Sequence, residues 1–156
     1  MTCADLHPAP TADPTVLAAL QRRFRKHGYA LLNIHDRDAP HGWVATMGRT
    51  DRGQHELLIF VEAGEQYAVH NEFLLQLKDR DVQPEQVLIA PGGRMYVTRD
   101  VATDPELEAA VHQQLMGVID RHYGRPVAVL LLHEAEIEFV TEPDCQPAER
   151  VAPGPA

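Results

Sequence analysis

The segment His41–Phe60, HGWVATMGRTDRGQHELLIF, decides how the chain is read. Two apolar runs, Trp43–Met47 and Leu57–Phe60, flank a turn crowded with polar groups. In the first run Trp43, Ala45 and Met47 share one strand face and Val44 and Thr46 the other, because side chains alternate along a strand. Gly48 breaks that run, so a bulge or a close backbone approach is expected there. Arg49, Thr50, Asp51, Arg52 and Gly53 make a polar turn, and His55-Glu56 leads into the second run. The pattern predicts a hairpin with a charged tip. The segment is also the one least explained by folding alone. Its functional reading is that Trp43, Thr46, Arg49, His55 and Glu56 line a small-molecule pocket at the hairpin end.

Working outward, a first helix is expected to start at Asp13, whose carboxylate can cap free backbone N–H groups, with Pro14 in the first helical position. Leu17, Leu20, Phe24 and His27 then recur at helical spacing, Gly28 ends the helix, and the strand YALLNI follows. A second helix is predicted over 65–80, with Val69, Phe73, Leu74 and Leu77 inward. A third begins at Asp104-Pro105, runs through Leu107, Val111, Leu115, Val118 and His122, and closes at Gly124 before VAVLLL. These helix–Gly–strand units share only punctuation, so an internal duplication is not expected. Strands are expected over 29–34, 42–48, 56–62, 94–99, 126–133 and 135–140, with Pro91-Gly92-Gly93 as a turn. In the last strand Ala135, Ile137 and Phe139 oppose the acidic row Glu134, Glu136 and Glu138, which discourages edge pairing. Strands outnumber helices and their gaps are short. The expected class is α+β, a mainly antiparallel sheet with about three helices packed on one face. Residues 13–140 form the expected single domain, between flexible tails at 1–12 and 141–156 that are rich in Pro and Ala.

A chain of 156 residues can bury a core without staples. Its net charge of −9 disfavours nonspecific attraction to nucleic acid or anionic lipid. Arg22, Arg23, Arg25 and Lys26 form the one basic cluster, expected to be a solvated helix face. No run approaches the ~20 apolar residues of a membrane span. The N-terminus lacks the layout of a signal peptide, so cytoplasmic residence is the expectation. Cys3 and Cys145, the only cysteines, are expected to be free thiols.

Position accounts for several of the nine histidines. His27 and His122 fall in last helical turns, where the helix dipole favours positive charge. His112 is expected on a wet helix face, and His7 in a tail. No His-Glu-x-x-His or Cys-x-x-Cys occurs, so the strong zinc signatures are missing. His35, Asp36, His41, His55, Glu56 and His133 remain as candidates. Of these, His41, His55 and Glu56 make a donor set adequate for a divalent metal, which would serve a hydrolase or oxygenase. The chain has no serine, and no base is implied beside Thr46, Thr50 or Thr98. Gly92-Gly93 lacks the ending of a phosphate loop, although its N–H groups and Arg94 could meet an anion. Short strands with Gly-rich turns and one Trp are also compatible with a barrel-like, flavin-binding reductase.

The central segment resembles the bacterial family catalogued as domain of unknown function 4262. Thr46 and Gly48 match its Tyr-Thr-x-Gly-Leu run, and Gly53, Glu56 and Leu57 match its Gly-x-Pro-Glu-Leu run. The helix over 66–80 falls where that family has one. Ala45, Arg49 and His55 depart from its tyrosine, leucine and proline. The resemblance covers residues 14–140 and implies a small bacterial α+β domain. It supplies no catalytic residues. The leading expectation is a noncatalytic or accessory domain that binds a small ligand or a protein partner. Its expected contact surface is the Trp43–Leu57 hairpin, with Arg49 and Arg52 as anion contacts.

Overall fold

The first helix, α1 (Pro14–His27), ends as its sequence dictates. Gly28 takes φ +70° and returns its N–H to Phe24 at 2.6 Å. The computed structural model describes residues 14–35 and 41–135. The expected tails, the cap at Asp13, Asp36, both cysteines and residues 136–140 lie outside that range. Of the strand expected over 135–140 only Ala135 is described. It is not in a strand, although its N–H reaches Met95 O at 2.9 Å.

β1 (Ala30–His35), β2 (Gly42–Met47) and β3 (Glu56–Val61) form an antiparallel meander. α2 (Tyr67–Gln76) and the three-residue β4 (Val87–Ile89) follow. Next come β5 (Met95–Asp100), α3 (Pro105–Gln114), α4 (Gly117–Tyr123) and β6 (Val129–Glu134). The strand order is β1-β2-β3-β6-β5-β4. Every neighbouring pair is antiparallel except β3–β6, so the sheet is mixed. Leu130, Leu131 and Leu132 are all buried, and a continuous apolar run of this kind belongs at the centre of a sheet, covered on both faces. The central slot gives β6 a parallel neighbour in β3. Among the described residues the sheet is open, with β1 and β4 as edges, and does not close into the barrel expected for a flavin reductase.

Helices pack on both faces, which corrects the one-face expectation. Trp43, Ala45, Met47, Leu58, Val129 and Leu131 face α1, α3 and α4. Val44, Leu57, Ile59, Leu130 and Leu132 face Phe73 and Leu74 of α2 and Leu77 just after it. β2 therefore has the expected alternation but no wet side, and all six of its residues are buried. In α2 the inward position falls to His70, 4% exposed, while Val69 is 51% exposed. The helix expected to run unbroken to His122 divides into α3 and α4. The N–H groups of Leu115 and Met116 both turn back to Val111 O, and both side chains are buried, so core packing holds the break. β4 had no alternation to announce it. It is set by pairing with β5 and by the turn Ala90–Arg94, where Gly92 and Gly93 take φ near +90°.

Candidate functional site

Glu56 opens β3 and is fully buried. Its carboxylate accepts five hydrogen bonds. Thr46 Oγ1 donates at 2.8 Å, Gly48 N at 3.2 Å, Arg49 N at 3.3 Å, Thr50 N at 2.8 Å and Thr50 Oγ1 at 2.6 Å. Three successive backbone N–H groups thus converge on one internal anion, at the start of the 3-10 turn Arg49–Arg52. A buried carboxylate costs several kcal/mol in lost hydration, and hydrogen bonds to a charged group return about 1.5–3 kcal/mol each. Gly48 makes the cradle accessible. It takes φ +128°, and a Cβ there would lie 2.7 Å from Gly28 O, the close approach expected from the sequence. Thr46 is fully buried too, and its hydroxyl also accepts the Leu57 N–H at 2.8 Å.

Arg49, likewise fully buried, points away from the cradle. Its guanidinium donates to His55 O at 2.8 Å, Leu77 O at 2.9 Å and Arg80 O at 3.1 Å. Arg52 donates to Lys78 O and to Asp79 Oδ1. Besides His55 O, the two tip arginines therefore serve carbonyls just beyond the end of α2, one of which, Leu77 O, also accepts the Arg80 N–H at 3.1 Å. Arg49 is turned inward, the 40% exposed Arg52 is paired with Asp79, and Arg49, Thr46 and Glu56 line neither of the two clefts described below.

The metal donor set is not brought together. His41 and His55 precede opposite ends of the paired strands β2 and β3, with Gly42 opposite Val61, so strand rise separates them by roughly 23 Å. His41 lies against the Phe60 ring with centroids 5.3 Å apart. His55 Nε2 meets Asp100 Oδ2 at 3.0 Å, and the Glu56 oxygens are occupied by the cradle. Among the described residues no group of three His, Cys, Asp or Glu is placed to hold a metal ion. His35 stacks on Tyr67. His112 is not on a wet face. Its side chain is 15% exposed and meets Asp120 at 2.7 Å, and the hydrogen bond it donates to Asp120 pushes its pKa up against the effect of burial. His27 and His122 do occupy last helical turns. Arg94, expected to meet an anion at the Gly92-Gly93 turn, is paired with the carboxylates of Glu65 and Glu134.

Of the expected ligand residues, Trp43 alone reaches a cleft. It is 3% exposed and lies in the floor of a cavity of about 440 Å³ between β5–β6 and α3. Val97 and Leu131 extend that floor, and Leu107 and Val111 form the α3 wall. Polar groups stand around it at Glu85, Arg99, Asp100, Asp104 and His133. Two of these are already committed. Asp100 pairs with His55 and accepts from Ala102 N, and Asp104 caps α3 through Glu106 N and Leu107 N. Among the described residues Arg99 pairs only with Asp104, at 3.5 Å, and its side chain is 53% exposed. The register sets Arg99 opposite Leu131 and Val97 opposite His133, so Arg99 and His133 are diagonal neighbours on one face. Glu85 holds φ +60°, the only left-handed residue other than glycine among those described. The signal missed in the sequence was the alternation in MYVTRD, which sends Val97 and Arg99 to the same face. His133 was a candidate, but nothing local linked it to Arg99.

Comparison with protein-family models, with curated proteins and with solved structures finds no match to the chain.

Proposed function

We propose that this chain is a noncatalytic, small-ligand-binding domain, and that its ligand has an apolar body and an anionic head. The observation that carries this is the cleft over Trp43. Its volume of about 440 Å³ lies within the range of ligand pockets, roughly 300–1,000 Å³. An apolar floor receives the body. Arg99 and His133, the cationic-type groups on its border, receive the head, since Asp100 and Asp104 already have internal partners. The left-handed Glu85 at the mouth supports the same assignment, because backbone strain gathers at ligand-holding sites. The residues shared with domain of unknown function 4262 take a different part in this proposal. Thr46, Gly48 and Glu56 build the carboxylate cradle, and the cleft supplies recognition.

Trp43 is the only tryptophan and acts as a built-in reporter. Titration with octanoate and with octylamine, followed by Trp fluorescence and thermal shift, tests the proposal. Octanoate should change the emission and raise Tm, octylamine should do neither, and Arg99→Ala should abolish the octanoate response. Equal responses to both compounds, or none to either, would remove the proposal. Native mass spectrometry of the untagged protein reads out any ligand retained through purification.

A further inference from the structure

The two edges of the sheet are unlike. Natural proteins blunt edge strands by shortness, charge, proline or bulges, since an unpaired edge is a template for another chain. β4 satisfies this by having three residues. β1, ALLNIH, has six, with no Pro, Lys or Glu, and pairs with β2 in unbroken register from Ala30 to His35. In an antiparallel pair, alternate residues turn their backbone N–H and C=O away from the partner. Among the described residues β1 therefore presents a row of backbone donors and acceptors outward.

That edge forms the floor of a groove of about 650 Å³, flanked by α1 on one face and α2 on the other. Arg23 and His27 line the α1 wall, and Asn71, Leu75 and Lys78 the α2 wall. Every ionisable side chain of the two walls is of cationic type, in a chain of net charge −9. Neither Arg23 nor His27 has an ion-pair partner among the described residues. Lys78 Nζ lies 5.8 Å from the centre of the Tyr29 ring, a weak hold on its charge. Leu75 is 52% exposed, and Asn71 Oδ1 is buried with no hydrogen-bond partner among the described residues.

We propose that the β1 edge takes an extended acidic segment of a partner protein as an added strand. The added backbone pairs with the outward groups of β1, which gives affinity, and alternate side chains reach the two walls, which give specificity. Side chains on one face of the segment meet Arg23 and His27. Those on the other meet Leu75 and Lys78, so that face carries an apolar residue next to an acidic one. Charge complementarity selects an acidic strand over a neutral one, as Arg23 of α1 and Lys78, just past the end of α2, bracket the same edge.

The test uses the full chain and a blocked octapeptide, Glu-Val-Glu-Glu-Glu-Val-Glu-Glu, whose one face is all glutamate and whose other face alternates valine with glutamate. Binding is followed by calorimetry and by hydrogen exchange of the β1 amides. The expected result is binding with slowed exchange at outward-facing β1 amides. Arg23→Glu or Lys78→Glu should weaken it about tenfold each, with k_on reduced at low salt. N-methylation of alternate peptide amides should abolish it with every side chain intact. Both protein variants carry exposed or half-exposed changes, and unchanged circular dichroism confirms that each still folds. Absence of binding, or binding indifferent to N-methylation or to charge reversal, would overturn the proposal. So would outward-facing β1 amides already protected in the chain alone. If that protection vanishes on dilution the occupant is a second copy, and if it persists the occupant is a segment of the same chain.

Discussion

The Thr46 hydroxyl donates to Glu56 Oε1 at 2.8 Å while accepting the Leu57 N–H at the same distance. One side chain thus ties β2 to both the buried anion and the start of β3. The polar hairpin is a folding device, and the energetics of its residues follow from that.

Glu56→Gln keeps the shape and replaces one acceptor oxygen with a donor that faces N–H and O–H groups. The expected loss is about 2–3 kcal/mol, on the scale of hydrogen bonds to a charged group. Denaturant unfolding measures it as a lower midpoint with an unchanged slope. An unaltered midpoint would show that the five donors are satisfied in another way.

Arg49→Lys keeps the charge and loses the fork that reaches three carbonyls. The expected cost is about 2–3 kcal/mol, because buried acceptors at the end of α2 lose their donors. Hydrogen exchange should accelerate first in the α2 end and the 77–82 segment. Uniform acceleration over the whole sheet would count against a local clamp.

Gly48→Ala should destabilise by more than Gly124→Ala. Both positions have positive φ, but only at Gly48 does the new Cβ meet backbone, at 2.7 Å from Gly28 O. The Gly124 change should cost about 1–2 kcal/mol from the left-handed conformation alone. Thermal unfolding of the pair separates conformational strain from the steric approach.

His112 sets a pH dependence. Its pKa is raised in the fold by Asp120, so the pair stabilises fully below the ordinary histidine value of about 6.5. That stability is lost as pH rises through the raised folded value. Wild-type protein should therefore lose stability on going upward from about pH 6.5, and His112→Gln should lack that component. A wild-type profile that His112→Gln reproduces would assign the titration elsewhere.

Glu85→Gly relieves a left-handed non-glycine residue, and its stability should change by no more than about 1 kcal/mol in either direction, as relieved strain offsets unfolded-state entropy. A change in octanoate affinity with stability held would place Glu85 among the ligand-holding groups. An unaltered titration would confine it to the turn before β4.

Local pattern carried a large part of the fold. Gly28 and Gly124 ended their helices where expected, and Trp43, Ala45 and Met47 share a face as strand alternation requires. The site was less legible. Thr46, Arg49 and Glu56 were singled out because polar groups beside apolar runs are costly unless used, and a cradle and a helix clamp are uses that local sequence does not distinguish from a pocket. Val69 and His70 exchanged roles because the inward stripe of a short helix depends on its phase against the sheet.

The sequence by itself determined the α+β class, the hairpin, the helix punctuation and the singular character of the Thr46–Glu56 segment. All of these arise from spacing within one element or between chain neighbours. Tertiary structure alone decided that Arg49 and Glu56 point inward, that His41 and His55 stand at opposite ends of the hairpin, and that Trp43, Arg99 and His133 border one cleft. The physical reason is sheet order: β6 inserts between β3 and β5, and α3 then packs over that face. Those contacts join residues far apart in the chain, where no local period records them.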